Sequence, residues 1–116
     1  MKVTWGRCER GNWCPLNTVN LDHSVFQDLR GVYIIWYNGS SGRTVRLGQG
    51  IIKDRLAAHR EDRNVQAYAK NTLYVTWAAV DATSRDGVEA YLAEQLNPLV
   101  GERFPDRTPI AVNLPM

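Results

Sequence analysis

Three groups of residues have types and spacings that carry chemistry. Arg55 and His59 stand four apart in a segment of helical periodicity, so both project from one face and can address one target together. Glu89 heads the row Glu89, Leu92, Ala93 and Leu96, the i, i+3, i+4, i+7 spacing of a core-facing stripe. A carboxylate in that row costs free energy unless it is paired, hydrogen-bonded, set at the helix edge or bound to a cation. At the first turn of a helix the dipole also favours it. The third group is basic: Arg43, Arg46, Lys53, Arg55, His59, Arg60 and Arg63 crowd one third of the chain. Such a face can track a phosphate backbone, although the interspersed Asp54, Glu61 and Asp62 fit an ordinary solvated surface equally well.

Other chemistries find less support. Cys8, Cys14 and His23 could join a zinc site, but the five-residue gap between the cysteines is wider than the usual spacing and no second pair exists. Gly48-Gln49-Gly50 lacks the third glycine of a dinucleotide cradle, and no Gly-x-Ser-x-Gly elbow is present. No organic cofactor is therefore expected.

The elements that must position these residues can be read from pattern. A chain of 116 residues, 44% hydrophobic and 22% charged, has the balance of one domain spanning 1–116, large enough to fold without a disulfide or structural metal. A net charge of +2 is too small to argue for nucleic acid by itself. The N-terminus has no signal-peptide core, and no stretch approaches the roughly 20 apolar residues of a membrane span. These features predict a cytoplasmic protein with reduced thiols and no membrane partner.

Residues 1–29 carry Gly6, Gly11, Pro15, Asn17 and Asn20 without clear periodicity, and predict an irregular segment with one short helical turn. Trp5, Trp13 and Phe26 predict that it packs on the core. Val32 to Tyr37 is a β-branched and aromatic run, apolar on both faces and so interior to a sheet. Asn38-Gly39-Ser40-Ser41-Gly42 is turn chemistry, and Thr44 to Gln49 alternates, so the two strands are expected to form a hairpin with Val45 and Leu47 on one face and Thr44 and Arg46 on the other. A helix is predicted over Ile51 to Arg60. A third strand follows over Leu73 to Val80, its apolar face made by Leu73, Val75 and Trp77. Thr83 or Ser84 can cap a helix from Arg85 to Leu96, ended by Asn97-Pro98. Pro105, Pro109 and Pro115 keep 102–116 extended, with Ile110 to Val112 as an edge strand or a cover over the core. The expected fold class is α+β, a small three-stranded antiparallel sheet flanked by helices.

In that order, Gly31-Val32-Tyr33, Arg46-Leu47-Gly48, Arg55 with His59, and Glu89 with Pro98 resemble the core of the GIY-YIG nuclease superfamily over roughly Gly31 to Gly101. The resemblance implies a metal-dependent endonuclease-like domain that hydrolyses DNA phosphodiester bonds. Glu89 would hold one Mg²⁺ or Mn²⁺, a hard cation that keeps several waters and tolerates a single protein ligand. Arg55 would give a planar donor fork to the phosphate, and Tyr33 or His59 would orient or deprotonate water. Arg46, Lys53 and Arg60 would contact the DNA. Two departures stand against full activity: Arg46 occupies the second tyrosine's place, and Gly101 the place of the asparagine after Pro98, with Asn113 as a candidate replacement for the lost amide. The stretch from Gly48 to Arg55 is also compact for the family. The alternative is a catalytically inactive member that binds nucleic acid or a protein partner. A bare core of this size would need such a partner, a homodimer or a branched substrate to choose where it acts.

Overall fold

Strand β2 (Arg30–Tyr37) is the centre of the molecule. It pairs antiparallel on one side with β3 (Thr44–Ile51) and on the other with β4 (Leu73–Ala79). The computed structural model describes residues 1–38, 42–101 and 104–115; the expected turn at 38–42 falls partly outside them. Because β2 is flanked on both edges, its backbone groups are consumed by the ladder and its side chains are free to be apolar on both faces. Val32, Tyr33, Ile34 and Ile35 are all buried.

The sheet has four strands in the order β1-β4-β2-β3, one more than expected. The addition is β1 (Cys14–Pro15), a two-residue strand paired with Val75 and Tyr74. Two residues ending in a proline carry no periodicity, so pattern could not reveal it. The rest of the N-terminal segment forms short 3₁₀ turns at Glu9–Gly11 and Ser24–Phe26 and, as expected, packs Leu16, Leu21 and Phe26 into the core.

Each face of the sheet is covered separately. Helix α1 (Ile52–Arg60) and the single turn α2 (Arg63–Gln66) place Ile52, Leu56 and Val65 against Tyr33, Ile35 and Val75. Helix α3 (Arg85–Leu96) places Val88 and Leu92 against Val32, Ile34 and Leu47. It ends at Asn97, whose left-handed backbone donates to the Ala93 carbonyl. Ser84 precedes α3 without making a side-chain cap, while Thr83 donates to Asp81 instead.

Val45 and Leu47 lie on opposite faces, contrary to strict alternation. A register shift pairs Ile35 with Arg46 and Trp36 with Thr44, so one extra β3 residue is accommodated and Val45 swings to the α1 side. Among the described residues the C-terminal segment adds no strand: the Ile110 amide donates to Gly87 O and Val112 is buried over the α3 face. Asn113 does not reach the candidate site, because its amide accepts from Val3 N and donates to Val3 O.

The two thiols expected to be reduced are joined as Cys8–Cys14. Positive φ at Arg10 and Gly11 turns the chain back on itself, bringing the two Cα atoms to 5.1 Å. Among the described residues no helix is long and apolar enough to cross a membrane.

Gly31 shows why the opening tripeptide needs glycine. A Cβ there would overlap the Ala78 carbonyl oxygen across the β2–β4 ladder and lie 2.9 Å from Val80 N. Backbone cannot yield as a side chain can. Gly31→Ala is expected to destabilise the fold by about 3 kcal/mol, read as a lower urea midpoint with an unchanged slope.

Candidate functional site

The candidate residues gather around β3, an edge strand of the sheet whose Thr44 and Val45 carbonyls accept from Leu99 and Val100. An edge strand lets side chains from both faces meet beside it. From the α1 face come Tyr33, Arg46, Arg55 and His59; from the α3 face come Gln49, Asp86 and Glu89.

Tyr33 sits on β2 opposite Gly48 and is 2% exposed. Its hydroxyl lies 2.6 Å from His59 Nε2. The glycine that ends the Arg46-Leu47-Gly48 triplet makes room for it, since a Cβ at Gly48 would stand 2.5 Å from the Tyr33 hydroxyl oxygen. Burial raises the Tyr33 pKa, and the neighbouring Arg46 and Arg55 guanidiniums partly offset the rise. His59 is 6% exposed. Burial, and then Arg46, push its pKa down to about 4, against the pull of Asp62. The imidazole is therefore neutral at ordinary pH, and Nε2 accepts the Tyr33 hydroxyl's hydrogen bond when the ring proton resides on Nδ1. That Nδ1 makes no hydrogen bond among the described residues and lies 3.8 Å from Asp62 Oδ2.

Arg55 projects from the first half of α1, with Nε donating to the Gln49 carbonyl at 3.2 Å and the end of its guanidinium open to solvent. Its stem lies across Gly50, whose φ of 131° and missing Cβ permit the approach. The shared face of Arg55 and His59, expected from their spacing, is what brings both toward Tyr33.

Arg46 lies beside Tyr33 on the same face, with its Nε buried and unpartnered among the described residues. A Cβ on Gly101 would come within 2.6 Å of Arg46 Nη1. The long guanidinium thus occupies space that a side chain at 101 would fill.

Glu89 is 8% exposed at the head of the α3 stripe. Burial raises its pKa; the Gln49 amide holds it down, the Asp86 carboxylate raises it further, and Arg46 and Arg55 lower it. Gln49 Nε2 donates to Asp86 Oδ1 at 2.7 Å. Asp86 and Gln49 were not foreseen; Asp86 precedes Glu89 by one helical turn, a spacing that was available as a signal. Asp62, three residues after His59, was equally available.

Two expected DNA contacts are otherwise engaged. Arg60 donates to the Leu16 and Val19 carbonyls and fastens the N-terminal segment to α1, which removes it from the phosphate-binding set. Lys53 makes an exposed ion pair with Asp22 at 2.9 Å, on a different side of α1 from Arg55.

Among the described residues no group of three or more His, Cys, Asp or Glu side chains is arranged to hold a metal. Glu89 and Asp86 nevertheless make a pair of neighbouring carboxylates that repel each other, which a hard divalent cation would relieve while completing its shell with water. Compared with protein-family models, curated proteins and solved structures, the chain matches none.

The depressed His59 pKa has a thermodynamic sign. The unfolded chain takes up a proton near pH 6.5 that the folded state refuses until about pH 4, so stability is full above 6.5 and falls as pH drops through that window. The stability difference between wild type and His59→Gln should shrink by roughly 3 kcal/mol on acidification from about pH 7 to about pH 4. Urea titrations at stepped pH measure it, and a constant difference would remove the buried neutral imidazole from the account.

Proposed function

We propose that this chain is a metal-dependent phosphodiester-cleaving domain of the GIY-YIG type, acting on DNA. The observation that carries the reading is the convergence of Tyr33, Arg46, Arg55, His59 and Glu89 around one edge strand, although they come from four separate elements. Arg55, with Arg46 behind it, donates to the non-bridging phosphate oxygens and neutralises charge as the phosphorane develops. Tyr33, its hydroxyl held by neutral His59 Nε2, orients the attacking water. Glu89, with Asp86 one turn earlier, would hold Mg²⁺ or Mn²⁺. Such an ion, when bound, supplies Lewis-acid stabilisation to the phosphate and leaving oxygen.

One observation favours a rival reading. Arg46 stands where the second tyrosine belongs, and a guanidinium cannot serve as a base. The rival is a non-cleaving module of the same type that binds nucleic acid or a protein partner. A cytoplasmic setting belongs to both readings, and the Cys8–Cys14 bond opposes it, because disulfides persist in oxidising compartments.

Nicking of supercoiled plasmid with Mg²⁺ or Mn²⁺ decides between them. Cleavage should fall about 100-fold or more in Glu89→Gln, Arg55→Ala and Tyr33→Phe, each of which removes a charge or proton acceptor present at the reacting phosphate. Salt-dependent DNA binding without nicking, unchanged by chelator, selects the rival.

A further inference from the structure

The far end of the α3 face carries a row of aromatics that the candidate site does not use. Val32, Ile34 and Ala78 are buried in the α3-side core, whereas Trp36 and Tyr74, further along β2 and β4, stay half-buried. These two are directly opposed across β2 and β4, and Pro15 of β1 continues the row beyond Tyr74. Their rings lie 6.0 Å apart and 28° from parallel. Trp13 meets Trp36 edge-on at 5.2 Å, and the Arg7 guanidinium lies 3.8 Å from the Trp13 ring centre. All three rings are half-buried, and they line a groove of about 1120 Å³ that also presents the amides of Asn12 and Asn38.

We propose that this row is a stacking platform for the unpaired bases of a single-stranded segment of nucleic acid. The proposal rests on the nucleic-acid reading of the candidate site. Flat aromatic faces accept any base, and such stacking needs no pairing edge. Asn12 and Asn38 each offer both a donor and an acceptor, which suits base edges and gives no advantage to an aliphatic side chain. Arg7 spends Nη1 on the Gly11 carbonyl and keeps the rest of its fork for a phosphate, with Glu9 the acid in the groove lining. The row lies on the α3 face and runs from β2 toward β1, away from β3, whereas Arg46 and Arg55 lie on the α1 face, so the platform is a surface separate from the candidate site.

The test is fluorescence anisotropy of a labelled oligothymidylate of about twelve bases, set against an abasic oligomer of equal length and charge, in chelator at fixed salt. The oligothymidylate should bind roughly tenfold tighter than the abasic chain. Trp36→Ala and Tyr74→Ala should each remove about that factor, while Trp36→Phe and Tyr74→Phe, which keep the rings and guard against misfolding, should retain most of it. Equal binding of the two oligomers overturns the platform, as does unchanged affinity in both alanine variants. Groove resonances that respond to a proline-rich peptide and ignore the oligothymidylate overturn it in favour of a protein ligand. Tight base-dependent binding with no nicking under Mg²⁺ upholds the platform while the nuclease reading fails. Nicking without base preference does the reverse.

Discussion

Strand β2 is paired along both edges and buried on both faces, and every other element takes its position from that constraint. A strand in that setting cannot expose a polar group to water, so the hydroxyl of Tyr33 must find its partner inside the protein. It finds His59, which fixes the rotation of α1 about its axis. With α1 so rotated, Arg55 is carried to the mouth of the same hollow. The opposite face obeys the same rule with different chemistry: Val88 and Leu92 dock α3 on Val32 and Ile34, and the turn before them brings Asp86 and Glu89 to the β3 edge.

The electrostatics of the hollow follow from its position at an edge. Tyr33, His59 and Glu89 are each desolvated, and in each case burial favours the neutral form. Arg46 and Arg55 pull the two acids back toward ionisation while driving the imidazole further from it. With the phenol's pKa raised and the imidazole's lowered to about 4, the proton of the Tyr33–His59 hydrogen bond rests on the phenol, and the pair is a neutral hydrogen-bonding unit that holds the hydroxyl in place.

Much of this arrangement was legible in the order of residues. Strong β-branched and aromatic runs marked β2 and β4, and the helical periods of α1 and α3 placed Arg55 with His59 and set Glu89 on the core-facing stripe. What escaped pattern reading shares a physical character: it depends on contacts between segments distant in the chain. Arg60 looks like a solvated cation until Leu16 and Val19 supply carbonyls that no local window contains. Asn113 was free to be placed anywhere, and its two bonds to Val3 are set by how the chain ends meet. The bulge at Val45 breaks strict alternation because β3 must absorb one extra residue opposite Ile35, a demand imposed by its partner. The Cys8–Cys14 bond depends on a turn through Arg10 and Gly11, whose left-handed backbone no cysteine spacing announces.

The contact between Arg46 and residue 101 also ties the segment after α3 to the edge strand. A Cβ at 101 would stand 2.6 Å from Arg46 Nη1, and the backbone there holds φ at +112°. The guanidinium is the far end of a flexible side chain and can swing aside, whereas the backbone cannot relax without moving the segment whose Leu99 and Val100 amides bind β3. A side chain at 101 is therefore opposed chiefly by the backbone, and its cost would be felt as a loosened β3 edge rather than as a displaced arginine.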